Sequence, residues 1–513
     1  MNITTMNINR TLQNRPLSLI PLRDLLLVPA HAQVPGRHWR PGKIAFPAFS
    51  LITLLCGVLL APRLSAEVKY WNNNSPTQNS WIGANWSLTA DGSIGATVAT
   101  TGDSIFITHP NAQISLAGLS ASPVLNGITV ADGISATITT HISGNQSITV
   151  SGASSGDLTW KSISGGYTRL LLGADVAWNG KITEASTTES SAPNTSQSKE
   201  IRINAATATS ENTKIALNGT GKLVIIQDIA SITLGELSGT SATAEITAMN
   251  QGGGRRIVLN QDTNTTYAGL WTRGGSPRDW SFVKNNEGRI RFTNTIVAWT
   301  AGVTINGGSV YLNGAATGVS SSSGTGITVA SGATLGGTGS ITLGGTNKTV
   351  TLAAGAILDP GDVSDAGVAT TGTLTINAAS GAGLVFSGDA TIRFNLDGDK
   401  IVLDGETLVG SAAGGDGSIL FDFTGSSASV VGSTIDLIAF GGTPAIAVEK
   451  FASSEGWSGN FKYTGNTLQF EVLSVPAIPE PATAALMFCL PVFCSAAIIT
   501  ICRRVRRFRP GSN

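Results

Sequence analysis

The sequence predicts an all-β chain wound as a parallel β-solenoid, and three observations carry that prediction. Apolar residues recur in pairs spaced by two, glycine turns separate the pairs, and the long central body holds no cysteine.

The pairs come first. Val303 and Ile305 precede Asn306-Gly307-Gly308, Val310 and Leu312 precede Asn313-Gly314, and Ile327 and Val329 precede Ser331-Gly332. Ile341 and Leu343 precede Gly344-Gly345, Val350 and Leu352 precede Gly355, and Leu374 and Ile376 follow Gly372. In a strand successive side chains alternate, so a spacing of two sets both apolar residues on one face. The pairs return about seven to nine residues apart, the interval of short strands, and no helical period competes. Two or three strands per coil, repeated, favour a solenoid over a sandwich.

Composition agrees. Only 12% of the 513 residues are charged and 62 are glycine, a mixture suited to tight turns and small stacked side chains. Cys56 lies in one apolar segment and Cys489, Cys494 and Cys502 in another, so the body has neither disulfides nor cysteine-bound zinc. A long stacked core must then supply its stability. At 20 to 25 residues per coil and about 4.8 Å between coils, roughly 300 residues make a rod of order 60 to 70 Å.

The zero net charge conceals an asymmetry. Residues 1–66 carry Arg10, Arg15, Arg23, Arg37, Arg40, Lys43 and Arg63 against Asp24 alone, and five arginines follow Ile501. Removing these from 32 basic and 32 acidic residues leaves 20 and 31 between Glu67 and Pro481, a balance of −11. An acidic body argues against nucleic acid, which needs a basic face.

Two apolar segments bracket that body. After Lys43, Ile44 to Pro62 is apolar and Arg63-Leu64-Ser65-Ala66 ends on a small residue, the layout of a secretory signal cleaved by signal peptidase between Ala66 and Glu67. Leu55 before Cys56 argues against a lipoprotein signal. The second segment, Ala482 to Cys502, is uncharged over 21 residues. As a helix it reaches about 30 Å, enough to cross a membrane. Arg503, Arg504, Arg506, Arg507 and Arg509 follow at once and favour a cytoplasmic C-terminus. The stretch before the span, through Pro479-Glu480-Pro481, is expected to be extended and unpaired because proline fixes φ and lacks an N–H.

Pro479-Glu480-Pro481, one span and a terminal arginine cluster, in that order, resemble the PEP-CTERM sorting signal of Gram-negative bacteria. The resemblance covers about the last 35 residues. It implies recognition by a membrane-embedded cysteine peptidase, exosortase, with processing near Pro479, Glu480 and Pro481 and with Arg503, Arg504, Arg506 and Arg507 as the cytoplasmic stop. A second resemblance lies in the body. Gly326 to Leu343, with Ile357-Leu-Asp-Pro-Gly361 and Gly372 to Ile376, is similar to the autotransporter-associated β-strand repeat, with a weaker copy at Ala230 to Gly239. That likeness implies a right-handed β-helix serving as a surface passenger or stalk.

These features divide the chain into a leader and signal peptide (1–66), an N-terminal β cap (67–130), the solenoid (131–380), a C-terminal β capping region (381–474) and the sorting signal (475–513), with its transmembrane helix at 482–502 and an arginine tail at 503–509. Residues 181–215, rich in Thr, Ser, Asn and Ala, are expected to form an insertion or loop.

Candidate sites are sparse. Trp71, Trp81 and Trp86 are expected to cover the open first coil; the alternative is a sugar-stacking platform. His109 and His141, the only histidines of the body, stand in no metal-ligand spacing. Asp359, Asp362 and Asp365 surround Pro360-Gly361, and Asp397, Asp399 and Asp404 flank Gly398 and Gly405. Such carboxylates serve glycoside hydrolysis or calcium, but aspartate in a glycine turn is first a turn residue. No catalytic residue, metal or cofactor is therefore assigned. The expected function is that of an exported, non-enzymatic surface or biofilm-matrix protein, tethered transiently in the inner membrane and partnered by exosortase, signal peptidase and exopolysaccharide. The alternatives are a carbohydrate-binding adhesin and a β-helix lyase or glycosidase.

Overall fold

The computed structural model describes residues 66–476, apart from 72–78, 83–84, 91–97, 118, 120–121, 141–145, 164–167, 174–176, 188–198, 227–228, 250–253, 275–278, 380–382, 387, 406–408, 412–417, 426–430 and 443. The leader up to residue 65, His141, and the sorting signal from residue 477, with its span at 482–502, lie outside the described residues. Among the described residues no helix is long and apolar enough to cross a membrane.

Alternation of side chains builds the molecule. In Thr373–Ala378, Leu374, Ile376 and Ala378 are buried while Thr373, Thr375 and Asn377 face outward. One such strand buries only half its side chains, so it is stable only when the next coil stacks on it. Val303 pairs with Ile327 and Ile327 with Val350, in parallel, which makes the coils 24 and 23 residues long. All six apolar pairs picked from the sequence point into the core.

The five larger sheets, of 12, 7, 8, 8 and 7 strands, assemble into three faces around one apolar interior. The first face begins with Val68–Trp71 and runs through Arg255–Asn260 and Gly302–Ile305. The second includes Ala112–Ser115 and passes from one sheet to the next where Gly239 bridges Tyr267. The third is thinnest at Ile296, a single residue that bridges Trp271 on one side and Ala316 on the other. Side chains are stacked at the corners as well: Asn285 donates to Asn260 at 2.8 Å and Asn306 to Asn285 at 2.9 Å. Lys284 points inward and ends in a corner, where its Nζ donates to the carbonyls of Gln261 at 3.1 Å, Asn286 at 2.9 Å and Asn285.

Three expectations change. Residues 181–215 are not one loop: Trp178–Glu184, Lys199–Ile203 and Thr213–Leu217 are strands in coil register, while 188–198 between them lie outside the described residues. Only inward positions must be apolar, and Ile182, Ile201, Ile203, Ile215 and Leu217 suffice amid Thr and Ser. The phenylalanine-rich stretch after 381 is largely more solenoid, because Phe386, Phe394, Phe421 and Phe423 face inward and parallel pairing continues to Phe451–Ser453. Closure begins only at Thr434–Phe440, which pairs parallel with Lys400–Gly405 and antiparallel with Thr467–Ser474; that strand also pairs antiparallel with Ser458–Thr464. At the other end, Val68–Trp71 already stacks in parallel on Ser104–Ile107, and only Trp86–Ser87 runs antiparallel to it.

Candidate functional site

On the second face, strands Thr265–Tyr267, Arg289–Phe292, Ser309–Leu312, Thr334–Gly337, Ile357–Pro360, Thr391–Asn395 and Ile419–Thr424 lie side by side. Ile290, Phe292, Val310, Leu312, Leu335, Leu358 and Ile392 point inward, so the residues between them form a row facing out. Thr266 pairs with Arg291, Arg291 with Tyr311, Tyr311 with Gly336, and Gly336 with Asp359. Leu358 pairs with Ile392, which sets Asp359 beside Arg393, and Arg393 pairs with Asp422.

Gly336 leaves a gap in this row that Tyr311 crosses. A Cβ at Gly336 would stand 2.6 Å from Tyr311 Cε1, so the ring lies over the glycine, and its hydroxyl donates to Asp359 Oδ2 at 2.5 Å. Gly336→Ala is therefore expected to displace the ring. Burial, with the charge of Asp359 beside it, holds the Tyr311 phenol far above its ordinary value. In the variant an alkaline absorbance titration should count one more tyrosine ionising near the usual value of about 10. An unchanged count would show that the ring does not depend on the glycine.

A small hairpin covers the row. After Ile357–Pro360 the chain turns at Gly361, whose φ of +121° suits glycine, and Gly361 N donates to Gly337 O at 3.2 Å. Strands Asp362–Val363 and Ala369–Thr370 then pair antiparallel, and the chain rejoins the solenoid after Gly372. Arg291 donates from Nε to Asp362 Oδ1 at 2.9 Å and from Nη2 to Asp362 Oδ2, and its Nη1 lies 3.5 Å from Asp365 Oδ1. Thr266 Oγ1 donates to Asp365 at 2.7 Å, and Arg289 Nη2 donates to the Ser364 carbonyl. Beneath this cover Tyr311 is 3% and Arg289 9% exposed.

The carboxylates respond differently. Burial pushes Asp362 up, but hydrogen bonds from Arg291 and Asn313 and the Arg291 charge outweigh it, leaving the carboxyl below the usual range. Burial raises Asp359 despite the Tyr311 bond and Arg393. Burial also lifts Asp399 to about 6, with Asp359 adding to the effect, although Gly372 N at 3.0 Å and Asn395 N at 2.6 Å donate to its oxygens. The charge of Asp359 thus bears on Asp399, yet Tyr311 holds the first and backbone amides hold the second.

The aspartates grouped by sequence separate in space. Asp362 and Asp365 serve Arg291, and Asp404 pairs with Asn377 on the third face, away from the turn that carries Asp399. Among the described residues no three His, Cys, Asp or Glu side chains converge as a metal would require. The sugar-platform alternative for the tryptophans also fails geometrically. Trp71, Trp81 and Trp86 are 0%, 0% and 2% exposed, and Trp86 meets each of the others edge-on at 4.9 Å. A platform needs an open ring face, whereas these rings fill the end of the core. His109 bonds only its neighbour's carbonyl among the described contacts, at 2.9 Å, on an exposed site. Ala66 and Glu67 are exposed just before the first strand, while Pro479, Glu480, Pro481, Arg503, Arg504, Arg506 and Arg507 lie outside the described residues.

Sequence reasoning missed Arg289, Arg291, Tyr311 and Arg393. Its available signal was Arg289-Ile290-Arg291, two outward arginines on one strand of an arginine-poor body. A scan of protein-family models and a search of curated proteins find no match to this chain.

Proposed function

We propose that the chain is an exported, non-enzymatic structural protein of the cell surface or biofilm matrix. The observation that carries this reading is the continuous three-faced β-solenoid, with buried tryptophans at one end and antiparallel strands at the other. Such a body acts as a spacer whose length grows by about 4.8 Å per coil. A right-handed winding is part of the proposal, because parallel crossovers take that hand.

Export through the segment ending at Ala66, sorting by an exosortase-type peptidase at Pro479-Glu480-Pro481, and transient tethering by 482–502 rest on the sequence pattern. Exopolysaccharide is the proposed surface partner. Cells producing the full chain should carry it in the envelope or medium, and deleting 482–513 should change where it is retained. Full-length protein in the cytosol, or an unchanged location after the deletion, would refute the reading. Intact mass of surface-extracted protein should show both ends shortened.

A further inference from the structure

The hairpin at 361–372 is held by polar contacts. Its strands are two residues each, its turn residue Val368 is 61% exposed, and its grip on earlier coils is Arg291 with Asp362 and Asp365, Asn313 with Asp362, Arg289 with Ser364, Thr266 with Asp365, and the Gly361 N–H on Gly337 O. Two-residue pairing supplies little stability of its own. Gly361 and Gly372 stand at its two ends, where Gly361 N–H donates to Gly337 O and Gly372 N–H to Asp399 Oδ1, so these two points stay on the solenoid while the hairpin between them moves. Of the two ion pairs, that of Arg291 with the half-exposed Asp365 weakens with salt, whereas the bidentate pair with Asp362 is largely shielded and yields to a competing carboxylate rather than to salt.

The surface below has a definite chemical preference. Arg289 and Arg291 project two residues apart from one strand, and Arg393 stands further along the same face. Tyr311 lies between Arg291 and Gly336 in the row. With the hairpin lifted, Asp362 and Asp365 leave, and three arginines face Asp359 and Asp422. Arg289 Nε is buried without a hydrogen-bond partner among the described residues, a donor that the hairpin leaves unused. The planar guanidinium of Arg291 already grips a carboxylate by two nitrogens, the geometry suited to carboxylate recognition.

We infer that the hairpin is a pseudo-ligand, its Asp362 and Asp365 occupying a carboxylate site on the second face that an acidic polysaccharide takes when the hairpin swings away. A polyuronate offers one carboxylate per sugar and hydroxyls for Tyr311 and Asp359, and it runs along the axis in which the row is laid out. Because the body is acidic overall, such a polymer is repelled elsewhere and directed to this row. The inference deepens the exopolysaccharide part of the proposed function by naming the polymer class and the site. Its test is done in vitro, so a failure of export leaves it standing, and its own failure leaves the export reading standing.

The full-length chain in detergent is titrated with polygalacturonate, with uncharged dextran as control. Asp362→Asn with Asp365→Asn should bind polygalacturonate about tenfold more tightly than wild type, the weight of one charge-assisted contact. Adding Arg291→Met should cancel that gain although the hairpin is equally released. Proteolysis at Ser364–Val368 should quicken in the wild type when polygalacturonate is present. An unchanged affinity in the double variant, a gain that survives Arg291→Met, equal binding of dextran, or unaltered proteolysis in a folded protein would overturn the inference.

Discussion

Trp271→Ala is expected to split the unfolding of the body into two transitions and to cost about 3–5 kcal/mol, the range for removing a buried aromatic side chain. Trp271 is 0% exposed and meets Trp280, Phe282, Phe292 and Trp299 at ring distances of 5.9, 5.5, 6.0 and 5.7 Å. Phe282 and Trp299 lie flat against each other, 2° from parallel. The cluster sits where the third face narrows to the lone bridge at Ile296, so few backbone hydrogen bonds join the coils on that face, while the other two faces keep their ladders. Stability in a solenoid is approximately a sum of coils and nearest-neighbour interfaces. On the third face the packed rings stand in for the missing ladder, so weakening them should uncouple the coils on either side before either half melts. Urea or thermal unfolding followed by circular dichroism reads the outcome, with Trp271→Phe as the milder control. A single transition at the wild-type midpoint would show that the rings do not couple the halves.

Lys284→Ala is expected to cost about 2–4 kcal/mol, because it opens a cavity and strips one corner of a donor shared by three carbonyls. Lys284→Met keeps the packing of the stem and should lose less. Burial pushes the Lys284 ammonium down to about 8, against the opposing pull of Asp262. An unfolded lysine titrates near 10.4. Between those values the unfolded chain holds a proton that the folded chain has released, so stability rises with pH across this window and the penalty is full below it. Urea midpoints at about pH 8 and about pH 10 should show that rise in the wild type and lack its Lys284 part in Lys284→Met. Equal slopes in the two proteins would place the titration on another group.

The sequence disclosed the solenoid wherever inward positions were filled by large aliphatic residues between glycines, as from Val303 to Ile376. It hid the coils at 181–215, where Ile182 and Ile215 stand in polar surroundings, and those after 381, where larger phenylalanines fill the same inward positions. Inward Lys284 hid for a related reason, since a charged residue is acceptable at a corner that offers carbonyls. Of the candidate site, the sequence showed Asp359 and Asp362 as turn residues but not their partners. Arg291 lies 71 positions from Asp362, and Tyr311 lies 48 from Asp359. Such separations are three coils and two, and only register brings them together. No local pattern encodes that register, because each coil's length adds to the offset of the next.

The way the rod closes also fixes how it bears a pull. Thr467–Ser474, the final strand before the segment that leads to the tail, is the middle one of three, with Thr434–Phe440 on one edge and Ser458–Thr464 on the other. A tug arriving through that segment meets a strand clasped from both sides, which must surrender two ladders of bonds together. Phe470 adds a ring seated 4.7 Å from both Phe423 and Phe461. Held at its tail, the molecule would take tension at a doubly paired strand and pass it into the stack as a load shared among coils.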